Sequence, residues 1–209
     1  MRKILSATTL CSAILLSSTA FAAAPIMMDT FHSGFYIGIQ AGYANSHYSK
    51  SWLTKHAKPT VTSVKSVDSD GFAARGYIGY DFTENWAAEL GYAYLPTVKF
   101  NKVMYNSTTG NMDFDQYVID LFVKGTIPFA NGFALFGKVG PAWLHRDDLA
   151  KTIGGTRIKR NLTNGKVIPA AGVGLSYSFN SQVSTDISYV RYFNSEATDL
   201  VTLGLAYKF

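Results

Sequence analysis

Arg75, Asp81, Glu89, Asp120, Lys124, Lys138, Asp186 and Lys208 each interrupt an otherwise apolar segment, and all eight fall on one parity of an alternating pattern. Four bases and four acids on a common face can neutralise one another, fill an interior with salt bridges, or line a path for ions. Other chemistries find less support. The histidines His32, His47, His56 and His145 show no paired spacing, and Cys11 is the single cysteine, so no metal-ligand set emerges. No glycine-rich loop joins a strand to a helix, which removes the usual nucleotide cradle. No residue is therefore assigned a catalytic, cofactor-binding or metal-binding role, and no cofactor is expected.

The elements that must position those charges follow from composition and periodicity. The chain has 209 residues, 47% hydrophobic and only 16% charged, with eighteen glycines, thirteen Tyr, fourteen Phe and a net charge of +5. Disorder and a disulfide scaffold are excluded, because the apolar share fills a core and one cysteine cannot pair within the chain. The charged share lies below the roughly 25% typical of soluble domains. Beyond residue 30 there is no uninterrupted apolar run of about 18 residues, so no helical anchor is predicted.

The N-terminus carries a secretion pattern: Arg2 and Lys3, an apolar stretch from Ile4 to Leu16, and the small-x-small triplet Ala20-Phe21-Ala22. Residues 1–22 are read as a signal peptide, 23–33 as a short periplasmic segment and 34–209 as a single barrel. Removal of the peptide takes Cys11, Arg2 and Lys3 with it, which lowers the net charge from +5 to +3.

From Phe35 onward the pattern has period 2. Eight segments repeat it: 35–43, 72–82, 86–95, 117–127, 133–144, 167–179, 183–193 and 200–209. Strands of about 10 residues cross a bilayer when tilted. Short links rich in Asn, Gly and Pro alternate with long polar connections at 45–71, 96–116 and 145–166 and a shorter one at 194–199. Long and short in turn make an all-β, transmembrane, eight-stranded antiparallel up-and-down β-barrel, with short turns periplasmic and long loops outside.

Face assignment separates this from a soluble ligand-binding barrel. One parity carries bulky apolar residues such as Ile37, Ile39, Leu90, Leu121, Val139, Ile187 and Leu203; the other carries glycines and the eight charges. Each Lys or Arg facing mid-membrane lipid would cost about 2–4 kcal/mol, so the charged parity faces inward. Aromatic residues gather at both ends of the strands, as interfacial girdles do.

The segment Phe35-Tyr-Ile-Gly-Ile-Gln-Ala-Gly-Tyr43, the strand pair from Gly71 through Gly79-Tyr80 to Trp86-Ala-Ala-Glu-Leu-Gly-Tyr92, and Lys124-Gly-Thr-Ile-Pro128 resemble the OmpA-type eight-stranded outer-membrane barrel. The likeness spans Gly34 to Phe209. Phe209, with Leu203, Leu205 and Tyr207 alternating before it, resembles the C-terminal signal read by the barrel assembly machinery, although Leu203 stands where a polar residue is usual. The resemblance implies a bacterial outer-membrane location and a lumen filled by charges. Arg75, Glu89, Lys124 and Lys138 match inward charges of the family, whereas Ser176 stands where an acid is usual and Asp186 where a base is usual. Adjacency of strands suggests Arg75 with Glu89 and Asp120 with Lys138. Many relatives carry a trailing peptidoglycan-binding domain; the chain ends with its eighth strand, so none is expected here.

The loops carry the remaining charge. Arg146, Lys151, Arg157, Lys159, Arg160 and Lys166 oppose Asp147 and Asp148, a net of +4 for 145–166. Basic outer loops suit the phosphates of lipopolysaccharide or sulfated glycans on a host surface. The function expected is a structural, surface-interacting outer-membrane protein, with lipid, lipopolysaccharide, the assembly machinery and a host-surface ligand as partners and no nucleic acid. A narrow pore for ions or small solutes is the alternative, and an adhesin, a serum-resistance protein or a lipid A-modifying enzyme follow. For the enzyme, His145 has the right height and outward parity, yet Tyr117, Ile119, Val167 and Pro169 beside it supply neither nucleophile nor acid.

Overall fold

The computed structural model describes residues 33–50, 63–105, 108–146, 166–194 and 196–209, together with the backbone of 149–153 and 156–160. The expected signal peptide, residues 1–22, and all but the last residue of the expected 23–33 segment lie outside the described residues.

Among the described residues eleven strands follow one another: β1 (Gly34–Ser46), β2 (Ser63–Asp68), β3 (Asp70–Asp81), β4 (Trp86–Tyr105), β5 (Thr108–Ala130), β6 (Phe133–Arg146), β7 (Leu149–Ile153), β8 (Thr156–Arg160), β9 (Lys166–Ser178), β10 (Val183–Tyr192) and β11 (Thr198–Lys208). Eight of them form a closed ring in the order β4-β3-β1-β11-β10-β9-β6-β5, with β5 returning to β4. First and last strands close it over eleven residue pairs, from Tyr36 opposite Lys208 to Ser46 opposite Thr198. Closure leaves no edge in the ring, which is the condition for a sheet to stand in hydrocarbon.

The period-2 pattern places bulky residues outside. Along β1 the burial alternates strictly from Phe35 to Ala41: Ile37 and Ile39 are exposed, Gly38 and Gln40 buried. Inward glycines admit aromatic rings from the neighbouring strand. Tyr36 lies over Gly79 and Tyr77 over Gly38, each directly across the β1–β3 ladder. A Cβ at either glycine would sit 2.2 Å from the ring. Gly132 has φ +82° in the tight β5–β6 turn, a conformation that glycine adopts without steric cost.

Two expected loops are ordered differently. The connection 96–116 is not a polar loop: β4 and β5 continue past the barrel as a long hairpin, with Val98 opposite Phe114 and Phe100 opposite Met112. Val98, Phe100, Val103 and Met112 have no exposed surface, and Phe114 is 3% exposed. Their alternation with Lys99, Asn101, Asp113 and Asp115 is the same period-2 signal, carried beyond the barrel. The register slips between Phe100 and Val103, where Lys102 takes φ +51° and its N–H donates to the Asn111 side chain at 3.0 Å, the mark of a bulge. The first connection contributes β2, which pairs along β4 from Asp68–Lys99 to Ser63–Met104 and carries buried Val64. The barrel therefore bears an ordered extension on its long-loop side.

Replacing Ile39 with Arg puts a charge outward in the middle of β1. The expected cost is about 2–4 kcal/mol in reversible unfolding from lipid vesicles, against little change for Asn101→Arg in the extension; equal effects at the two positions would contradict the outward assignment.

Candidate functional site: a charged lumen and a basic outer rim

The lumen is built around Arg75. Its guanidinium on β3 reaches past β4 to Asp120 on β5, with Nη2 2.6 Å from Oδ1 and Nε 3.1 Å from Oδ2. Gly91 of β4 lies between them, opposite both Tyr77 and Asp120. A Cβ there would meet Arg75 Nη2 at 2.5 Å and Asp120 Oδ1 at 2.6 Å, so the pair exists because that position has no side chain. The same device recurs across the ring. Gln40 of β1 donates to Asp186 of β10 at 2.6 Å, over Gly204 of the intervening β11. Arg75 Nη1 then donates to Gln40 Oε1 at 3.3 Å, which joins the two crossings into one belt.

The remaining charges attach to this belt. Glu89 lies 3.5 Å from Arg75, 3.1 Å from Lys124 and 3.8 Å from Lys138, and accepts the Tyr36 hydroxyl at 3.1 Å. The expected Arg75–Glu89 contact is present but is the longer of the two that Arg75 makes. The expected Asp120–Lys138 pairing is replaced: Asp120 is taken by Arg75 and by the Tyr192 hydroxyl at 2.9 Å, and Lys138 turns to Glu89. Three bases face three acids at the centre, so the belt is neutral. Arg75 also lies 4.8 Å from the Tyr77 ring, and Lys124 lies 4.7 Å from that of Phe136, contacts that lower the cost of burying cations. Asp81 and Lys208 form a separate pair at 2.7 Å at the short-turn end. Gln40, Tyr36, Tyr192 and Ser188, which accepts from Gln40 at 3.4 Å, are network members that charge alone does not reveal.

At the opposite mouth, Gln116 donates to Ser46 at 2.9 Å, Ser46 bonds Thr198 at 2.9 Å, and Arg146 pairs with Glu196 at 3.2 Å while lying over the Tyr48 ring. Arg146, one of the six expected basic loop residues, ends β6 with lumen parity and is neutralised by Glu196 across the opening. Lys166 is exposed. The side chains of Lys151, Arg157, Lys159 and Arg160 lie outside the described residues; their backbone forms the β7–β8 hairpin, with Thr152 opposite Arg157, Ala150 opposite Lys159 and Leu149 opposite Arg160. His145 stacks on the Tyr117 ring at 4.5 Å. Outside the wall, Arg191 lies 3.5 Å from Asp199, which also accepts the Tyr189 hydroxyl and contacts His47. Leu203, Leu205, Tyr207 and Phe209 are all exposed on the outward face at the chain's end.

A closed eight-stranded ring with a charged interior and an apolar exterior is matched by the OmpA-like transmembrane domain family over residues 31–209. The chain belongs to that family. It is an outer-membrane barrel, and the outward apolar face lies in lipid. A curated relative, an uncharacterised protein of Coxiella burnetii, is 29% identical over 217 residues, covering 87% of each chain. Among solved structures, Neisserial surface protein A is 16% identical with a TM-score of 0.56, covering 86% of this chain and all of that one. OprG of Pseudomonas aeruginosa is 14% identical with a TM-score of 0.55, covering 84% and 96%. Ail of Yersinia pestis, solved with the heparin analogue sucrose octasulfate, is 19% identical with a TM-score of 0.51, covering 84% and 99%. These likenesses share the fold.

Asp120→Leu alone removes the nearer of the two carboxylates paired with a buried guanidinium and is expected to cost about 3–5 kcal/mol. The double variant Arg75→Met with Asp120→Leu should recover at least about 2 kcal/mol of the summed single losses in urea unfolding; strictly additive losses would show that the pair is not coupled.

Proposed function

We propose that this outer-membrane barrel is a non-enzymatic surface protein: a sealed structural cylinder that presents a basic hairpin to polyanions outside the cell. The observation that carries this reading is the β7–β8 hairpin, which follows β6 and precedes β9 on the long-loop side and concentrates Lys151, Arg157, Lys159 and Arg160 within ten residues. With Arg146 held by Glu196, the segment 147–166 has a net charge of +3. Phosphate groups of lipopolysaccharide and sulfate groups of host glycans share the chemistry that such a patch takes up. That Ail was solved with a sulfated heparin analogue supports the same ligand class here. The packed belt across the lumen supports a structural interior rather than a solute path, and the exposed alternation Leu203, Leu205, Tyr207, Phe209 suits recognition by the assembly machinery.

The test is binding of the refolded barrel to immobilised lipopolysaccharide and to heparin. The triple variant Arg157→Gln, Lys159→Gln, Arg160→Gln is expected to lose at least about tenfold in affinity, and wild-type binding should weaken steeply with salt. Unchanged, salt-independent binding would contradict the reading.

A further inference from the structure

Among the described residues, Arg191 is the one Lys or Arg on the outward parity of the eight-stranded ring. It stands at the long-loop rim, opposite Asp199 near the start of β11. That ion pair is the loosest contact the carboxylate makes: the Tyr189 hydroxyl donates to Asp199 at 2.7 Å and His47 Nε2 lies at 2.9 Å, whereas the Arg191 guanidinium lies at 3.5 Å. On its other side Arg191 faces Ala171, a single methyl group, and its side chain is 41% exposed. A guanidinium carries five N–H donors in a planar fork. A carboxylate already taken by two nearer donors leaves most of them to whatever stands against the wall.

The surroundings form a row rather than an isolated charge. Arg191 is opposite Asp199, Asp199 opposite Asn45, and Asn45 opposite Asp70, on the four adjacent strands β10, β11, β1 and β3. Asn45 and Asp70 are exposed; Asp70 accepts the Tyr43 hydroxyl, and the Asn45 amide has no hydrogen bond among the described residues. Three interstrand spacings make the row about 14 Å long, the scale of a disaccharide rather than of a lone phosphate. One row further into the membrane, Tyr189, Val201, Tyr43 and Phe72 face each other across the same strands, and all four are exposed. The polar row therefore stands where hydrocarbon gives way to headgroups.

We infer that this row seats one lipid A headgroup on the barrel wall, with a phosphate on Arg191 and sugar hydroxyls on Asn45 and Asp70. The lipid against the outer half of an outer-membrane barrel is lipopolysaccharide, and its lipid A is a phosphorylated amino-sugar disaccharide whose acyl chains run down the apolar wall below. An arginine fork takes a phosphate with paired hydrogen bonds. The far end of the row is acidic, so it takes up hydroxyls and repels a second phosphate. A phospholipid headgroup offers a phosphate to Arg191 but does not span the row. The inference rests on the outer-membrane location and on residues apart from the β7–β8 hairpin.

The experiment is native mass spectrometry of the refolded full barrel released from nanodiscs containing equal amounts of phosphatidylglycerol and monophosphoryl lipid A. Wild type is expected to retain one lipid A in preference to phosphatidylglycerol. Arg191→Gln should lower that retention about fivefold, the upper end for an exposed ion pair, and Asp199→Asn, which removes the competing carboxylate, should leave it equal or higher. Bisphosphorylated lipid A should be retained no better than the monophosphoryl form. The hairpin variant Arg157→Gln, Lys159→Gln, Arg160→Gln should retain lipid A as wild type does, which separates this site from polyanion binding by the hairpin. Equal retention of phosphatidylglycerol, no retained lipid A, retention unchanged by Arg191→Gln, weakened by Asp199→Asn or lost with the hairpin variant, or a gain from the second phosphate would each overturn the inference.

Discussion

A guanidinium with no exposed side-chain surface, reaching over a glycine to a carboxylate two strands away, is the constraint from which the interior follows. Once Arg75 is buried in a closed ring it must be neutralised, because an unpaired charge there costs several kcal/mol. Asp120 meets that need only because Gly91 leaves the path clear. The compensation spreads from there: Glu89 attracts two lysines, Gln40 carries the hydrogen bonds round to Asp186, and the rings of Tyr77, Phe122 and Phe136 lie against the cations. The barrel's glycines and aromatics are thus arranged around its charges, and the neutral belt joins strands that make no backbone bonds to one another.

The outward face obeys the complementary rule. Its side chains need no polar partner, so sequence there is free to vary in shape, and only a departure from bulk carries information. Arg191 departs in charge and is answered by Asp199; Gly76 and Gly137 depart in size, and no side chain lies within 4 Å of where their Cβ would stand. Beyond the ring the wall continues as the β4–β5 hairpin with β2, whose buried valines, phenylalanines and Met112 give the long-loop side a core of its own.

Much of this was legible in the residues. Alternation from Phe35 to Tyr43 and in seven later segments gave the strands and their facing, because a side-chain period of 2 is imposed by the pleat. Residues 96–116 were hidden by Lys99, Lys102, Asp113 and Asp115, whose charges resemble a loop when counted together and a strand face when counted by parity. The partner of Arg75 was hidden by a different assumption, that charges pair across adjacent strands; the signal that could have corrected it was Gly91, directly opposite Asp120. Arg146 was counted with its loop although its even position already placed it on the lumen side. Tyr36, Gln40 and Tyr192 carry no charge and enter the network only through distances that sequence does not hold.

The central claim is that the belt seals the lumen. Planar-bilayer recording of the refolded protein tests it most directly. The wild type should be electrically silent at moderate voltage, and Asp120→Ala, which opens the Arg75 crossing, should show intermittent conductance. Steady unitary openings from the wild type would contradict the account.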